Sequence, residues 1–234
     1  MITAIILAGG LGTRLRSKVS NVPKPMAPVN DRPFLEHLMD YWIAQGVTNF
    51  VLSVGYKHEI ISNHFGLAYK GVTIGYVVEE KPLGTGGGLL LAAATLESSA
   101  PFLVLNGDTY FTVDLKMLTD FYQETNSDWS LSLFRTSEEG RYMGLDVQSS
   151  GRIISMHSEN RDGTRLSNGG VYMVRPEVLA AGKFIPGTNL SLEDDIFSTA
   201  LNDGQCLCGL EFSTDFIDIG IPKDYDRVQN MLAV

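Results

Sequence analysis

The first half of the chain alternates short, nearly continuous apolar runs with amphipathic helical patterns, and that alternation leaves few folds open. The runs span residues 2–7, 50–54, 72–78 and 102–105. Between them Phe34, Leu35, Leu38, Tyr41 and Trp42 recur at helical spacing, a second helix is expected over 59–65, and an Ala/Leu-rich helix follows Gly88. A strand that is apolar on both faces needs cover on both, so the pattern predicts an α/β fold with a mostly parallel central sheet between helices. In such sheets ligands bind beyond the carboxyl ends of the strands. After residue 125 the reading changes. Residues 131–134, 145–147, 153–157 and 170–174 look like shorter strands joined by turns, more α+β than βαβ. Helices are expected over 176–181 and 191–201, and a strand near 206–211. One domain, 1–234, with lobes 1–125 and 126–234, is the simplest organisation.

The first strand empties into Gly9-Gly10-Leu11-Gly12-Thr13-Arg14-Leu15, and Pro23-Lys24-Pro25 follows closely. Glycines bring bare backbone N–H groups against a phosphate or a base, with no Cβ in the way. Arg14 and Lys24 can neutralise phosphate charge. The turn lacks the third glycine of the dinucleotide fingerprint and the lysine of the P-loop. It reads as a different nucleoside triphosphate site, with Leu7, Gly9, Gly10, Gly12 and Thr13 against the nucleotide.

The string Leu-Ala-Gly-Gly-Leu-Gly-Thr-Arg-Leu followed by Pro-Lys-Pro closely resembles the opening of the sugar-1-phosphate nucleotidylyltransferases. The resemblance covers nearly the whole chain. It implies a Rossmann-like, three-layer α/β/α nucleotidyltransferase fold of the GT-A-like kind, with a mixed, mostly parallel sheet. It also implies the reaction NTP plus sugar 1-phosphate giving NDP-sugar and pyrophosphate, with Arg14 on the triphosphate and Lys24 bridging the sugar phosphate and the α-phosphate. Non-catalytic binding of a nucleotide sugar is the rival from another class, and a glycosyltransferase of related fold is a third reading. Asn106-Gly107-Asp108 is not the Asp-x-Asp expected of the latter.

Two further segments fit the resemblance. Glu79-Glu80-Lys81-Pro82-Leu83-Gly84-Thr85-Gly86-Gly87-Gly88 has four glycines in five residues, an expensive way to begin a helix unless a flat ligand lies on the backbone. Gly84, Thr85 and Gly87 are expected at the base and ribose. Glu79 can accept from guanine N1–H and N2–H, and as a carboxylate in a surface cleft it is expected to matter little for folding. Residues 103–105 form an apolar run that ends in Asn106-Gly107-Asp108, and Phe216-Ile217-Asp218-Ile219-Gly220 repeats the pattern. Either aspartate alone suits a cap or turn. Both match the family's metal positions, which implies magnesium, or manganese in its place, held by Asp108 and Asp218, with Gly107 at the nucleotide.

On the sugar side, Asn168-Gly169-Gly170-Val171-Tyr172 and Arg141-Tyr142-Met143-Gly144 resemble the family's sugar-facing segments, which assigns Asn168, Gly169 and Tyr142 to the sugar phosphate. Many members carry Glu-Lys after the strand expected at 153–157, and that lysine binds the sugar phosphate. This chain reads His157-Ser158-Glu159-Asn160. The contact then passes to Arg161, Arg165 or Arg152, or rests with Lys24 alone. Within the family, the likeness is strongest to small bacterial guanylyltransferases acting on a heptose 1-phosphate. GTP and D-glycero-α-D-manno-heptose 1-phosphate are therefore the expected substrates, feeding capsule or related polysaccharide synthesis. Mannose 1-phosphate or another hexose 1-phosphate with a different NTP is the alternative.

A net charge of −9 over 234 residues argues against nucleic acid or an anionic membrane as partner. Positive charge is nonetheless concentrated early, in Arg14, Arg16, Lys18, Lys24 and Arg32 against Asp31. Cys206 and Cys208 would share one strand face as small apolar groups, which suits a reducing, cytoplasmic setting. No run is long enough to span a membrane, and the sequence leaves the oligomeric state, including a homo-oligomer, open.

Overall fold

The computed structural model describes residues 1–10, 12–15, 18–19, 21–138, 141–142, 144–158, 163–179, 184–185 and 187–233. Seven main strands are β1 (Thr3–Ala8), β2 (Asn49–Val54), β3 (Val72–Val78), β4 (Phe102–Asn106), β5 (Trp129–Thr136), β6 (Arg165–Val174) and β7 (Leu207–Glu211). With the short strand Ala68–Tyr69 they form one sheet in the order β7-β5-β6-β4-β1-β2-β3, Ala68–Tyr69 lying at the far edge beside β3. Pairs β4/β1, β1/β2, β2/β3 and β7/β5 are parallel. Only β6 against its two neighbours and the short edge strand run antiparallel. The mixed, mostly parallel sheet matches the sequence reading.

Alternation within the strands explains the layers. Ala4, Ile6 and Ala8 of β1 and Leu103 and Leu105 of β4 join a core under α1 (Phe34–Ala44) and α2 (His58–Phe65). Ile5, Phe102 and Val104 point the other way, into a core with Leu89 and Ala92 of α3 (Gly84–Ala93). Both sets are buried, as continuous apolar strands require. Helix α4 (Leu115–Thr125) starts where the Asp114 carboxylate accepts from Met117 N–H at 2.8 Å.

The second half departs from expectation. β5 and β6, with eight and ten residues, are the longest strands and lie inside the same sheet. Their polar positions hid this. Ser130, Ser132 and Ser167 are fully buried, so the strands read shorter than they are. A single 3-10 turn, Pro176–Val178, stands where a helix over 176–181 was expected, and residues 180 and 181 lie outside the described residues. The expected helix over 191–201 is a π-helical segment, Leu192–Phe197, running into α5 (Ser198–Asn202). Its start is capped by Ser191 Oγ, which accepts from Asp194 N–H at 3.0 Å. Helix α6 (Pro222–Met231) closes the chain. Among the described residues no helix is long and apolar enough to cross a membrane.

Candidate active site

The parallel strands β1, β2 and β4 end on one side of the sheet, and the loops there build the site. Gly107 N–H donates to Leu7 O at 3.0 Å, which ties the end of β4 to the end of β1. A short pairing of Phe216–Asp218 against Thr109–Phe111 then sets Asp218 opposite Thr109, next to Asp108. Ile219 N–H donates to Asp108 O at 2.9 Å and secures the junction. Two aspartates more than a hundred residues apart are thus brought together by three residues of antiparallel ladder.

Lys24 lies between them. Its ammonium bonds Asp108 Oδ2 directly and stands 3.6 Å from Asp218 Oδ1, with the lysine side chain only 10% exposed. Burial works against ionised Asp108, yet the Lys24 charge and hydrogen bond hold its carboxyl below the usual range. Burial and the charge of Asp108 push Asp218 the other way, upward. Lys24 opens a 3-10 turn, Lys24–Met26, with the prolines at 23 and 25 limiting the backbone on either side.

A cavity of about 440 Å³ opens beside this cluster. Leu7, Gly9, Gly10, Gly12, Thr13, Glu79, Gly84, Thr85 and Gly107 all line it, together with Arg14, Lys24 and Asp108. A second cavity of about 370 Å³ adjoins it, with Tyr142, Asn168, Gly169, Arg141, Glu193 and Asp218 in its wall. Arg14, Asn106 and Asp108 border both. The residues expected at the nucleotide, Gly87 apart, thus line the first cavity, and those expected at the sugar phosphate line the second.

Several expectations change. Gly87 is not among the residues lining the first cavity, and a Cβ there would sit 2.5 Å from Thr188 O, so packing against that segment already calls for a glycine. The glycines of 84–88 lie inside α3, and Gly86 N–H donates to Leu190 O at 2.8 Å. The smallness of Gly84, Gly86 and Gly87 lets the segment at 188–191 cross the helix, while Gly88 faces Glu79 and Ser53. Glu79 is more than a cleft carboxylate. Ser53 Oγ donates to its Oε1 at 3.1 Å, and Leu83 N–H, at the head of α3, donates to Oε2 at 3.0 Å. Each oxygen keeps a second lone pair, but the group also holds the fold. Gly9 leaves room for the carboxylate in this position, because a Cβ would lie 2.2 Å from Glu79 Oε1 and displace it.

Asn168 borders the second cavity with its amide already engaged: Nδ2 donates to Tyr172 Oη at 2.8 Å and Oδ1 accepts from Gly170 N–H at 3.0 Å. Arg165 donates to Glu138 O at 2.7 Å, and Arg152 reaches towards the Cys206 sulfur. Neither lines the cavity. Met143, Glu159 and Arg161 lie outside the described residues, as does Arg16. Arg141 does line it, its guanidinium over the Tyr142 ring, paired with Asp224 and donating to Asp218 O at 3.2 Å. Glu193 and Asn106 were missed by sequence reasoning. Glu193 sits in an acidic run, Glu193-Asp194-Asp195, that looks like an ordinary helix start. Asn106 is hidden at the end of an apolar strand, and its buried Oδ1 has no hydrogen-bond partner among the described residues. Cys206 and Cys208 are free thiols with sulfurs 3.8 Å apart.

Two carboxylates meeting on a buried cation, beside a cavity sized for a nucleotide, are a donor set that suits a magnesium ion shared with phosphates. Fold, glycine turn and paired aspartates together define a nucleotidyltransferase. The chain matches the nucleotidyl transferase family over residues 3–233 and belongs to it. Among individual proteins, it is 38% identical to the D-glycero-alpha-D-manno-heptose 1-phosphate guanylyltransferase of Aneurinibacillus thermoaerophilus, over 98% of this chain and 97% of that one. The enzyme of that name from Campylobacter jejuni is 37% identical, over 95% and 96%. The mannose-1-phosphate guanylyltransferase of Mycobacterium tuberculosis is 33% identical over 97% of this chain, which spans 63% of that longer protein. The crystal structure of HddC from Yersinia pseudotuberculosis complexed with GMP-PN superposes with a TM-score of 0.86 at 32% identity, over the whole of both chains.

Proposed function

We propose that the chain transfers the guanylyl group of GTP to D-glycero-α-D-manno-heptose 1-phosphate, yielding GDP-heptose and pyrophosphate. The observation that carries this is the pair of cavities meeting at Arg14, Asn106 and Asp108, with Lys24 and the two aspartates beside the junction. A nucleotide in the first and a sugar phosphate in the second would place two phosphates where these charges converge. The likeness to the two heptose 1-phosphate guanylyltransferases supports this substrate pair.

In the reaction, a sugar-phosphate oxygen forms the new bond to the α-phosphorus while the bond to the bridging pyrophosphate oxygen breaks. That oxygen is already anionic at neutral pH, so no protein base is needed. The protein's part is positioning and charge neutralisation. Lys24 leaves its carboxylates for the attacked phosphate and meets the charge that grows there. Arg14, which forms no ion pair among the described residues, holds the leaving pyrophosphate. Glu79 presents acceptors to the guanine edge, and the Gly9–Gly10 backbone lets the base lie close. Asp108 and Asp218 would hold magnesium, which supplies further charge neutralisation at the phosphates.

A second reading keeps the chemistry and changes the acceptor to mannose 1-phosphate, favoured by the mycobacterial relative. One experiment separates them: pyrophosphate release from each of the four NTPs against a panel of sugar 1-phosphates. GTP with the heptose 1-phosphate should give the highest kcat/KM. Release with none of the pairs would overturn the enzymatic reading.

A further inference from the structure

Most polar side chains lining the second cavity are already engaged within the protein. Asn168 is committed to Tyr172 and Gly170, and Thr109 Oγ1 donates to Asp108 Oδ1 at 3.3 Å. Arg141 is paired with Asp224, Asp218 and Glu138, and the two aspartates face Lys24. Arg14 and Asn106, whose buried Oδ1 has no partner among the described residues, lie at the border shared with the first cavity, and the carboxylate of the lining that no cation faces among the described residues is Glu193. Its neighbours Asp194 and Asp195 are exposed and serve the start of their own segment: Asp195 Oδ2 accepts from Ser191 N–H at 2.7 Å. Glu193 instead turns inward to the cavity wall and forms no ion pair among the described residues. Among the described residues its side chain takes a long hydrogen bond, Thr85 Oγ1 donating to Oε2 at 3.4 Å. Thr85 Oγ1 in turn accepts from Leu192 N–H at 2.9 Å, so the threonine steadies this segment from the nucleotide side.

We infer that Glu193 is the sugar-recognising residue, its carboxylate accepting hydrogen bonds from hydroxyls of the sugar ring. A carboxylate offers only acceptors, and adjacent sugar hydroxyls offer paired donors at a matching spacing. A half-buried acceptor without a charged partner is also costly to leave unpaired, which makes it a discriminating one. Burial, with the charges of Asp194 and Asp108 nearby, pushes the Glu193 carboxyl upward from its ordinary range.

The inference rests on the nucleotidylyl-transfer reading, and the test separates the two. Steady-state kinetics would compare the intact protein with Glu193→Gln and Glu193→Ala, using the best sugar 1-phosphate and its monodeoxy derivatives. KM for the sugar phosphate should rise about ten- to hundredfold in the variants, the scale for a hydrogen bond to a charged acceptor, with KM for GTP unchanged. The unmodified protein should lose a similar factor on one or two of the deoxy derivatives, and the variants should lose little further on those. If KM for GTP rises instead, Glu193 acts through Thr85 and the inference falls. If the unmodified protein tolerates every deoxy derivative, it falls without any variant being needed. An unmodified protein that releases no pyrophosphate would instead refute the proposed reaction itself.

Discussion

Replacing Lys24 by methionine tests the centre of the site. The lysine keeps two partly buried carboxylates together, so its removal leaves Asp108 and Asp218 facing each other without a cation. At an effective dielectric constant near 20, a unit pair at the 3.6 Å separation of Lys24 and Asp218 attracts by roughly 4–5 kcal/mol before desolvation. Breaking buried pairs by deleting one partner costs about 3–5 kcal/mol. The lower end applies here, because the Asp108 and Asp218 side chains keep 36% and 24% of their exposure. A loss of about 3 kcal/mol lowers Tm by about 6–12 °C for a chain of this size. Magnesium should restore part of that loss in the variant, since it supplies the missing positive charge, and should stabilise the unmodified protein less. Turnover should fall by about a hundredfold or more, the scale for removing one donor to developing charge. The assay is thermal unfolding in chelator and in magnesium, alongside pyrophosphate release. A variant as stable as its parent in chelator would refute the electrostatic argument. A rise only in KM for the sugar phosphate, with kcat intact, would make Lys24 a ground-state binder.

Asp108→Asn should remove most turnover while preserving the fold, and excess chelator should do the same to the unmodified protein; full activity in chelator would end the metal assignment. Glu79→Gln keeps a carbonyl oxygen for Leu83 N–H and turns an NH2 to Ser53 Oγ, which can donate to Gly88 O instead, so it should weaken the preference for GTP over UTP and dTTP more than it lowers stability. Calorimetry and the four-nucleotide profile read the two effects separately. Gly9→Ala must push the Glu79 carboxylate off its partners, so GTP affinity should drop about tenfold, at a stability cost of about 1–3 kcal/mol, measured by titration calorimetry and thermal melting.

Local sequence carried the parts of this protein that depend on chain-neighbour geometry. The strands of the first half, the glycine turn at residues 9–12 and the proline-braced Lys24 could be read directly, because each is a short pattern with its own periodicity or backbone requirement. The resemblance singled out two aspartates, and the fold brings both to Lys24. What sequence reading lacked was the use to which neighbouring elements put the same atoms. Glu79 looked free and is bonded to Ser53 and Leu83. Gly87 looked like a ligand contact and makes room for Thr188. Asn168 looked available and is engaged within its own strand bulge. Glu193 looked like helix-start acid and reaches the second cavity. A hydrogen-bonding group has few lone pairs and donors to give, and long-range packing decides where they go. The residue types for the chemistry were therefore determined along the chain, while the choice of which polar groups remain free for substrate was made only when the strands closed into one sheet.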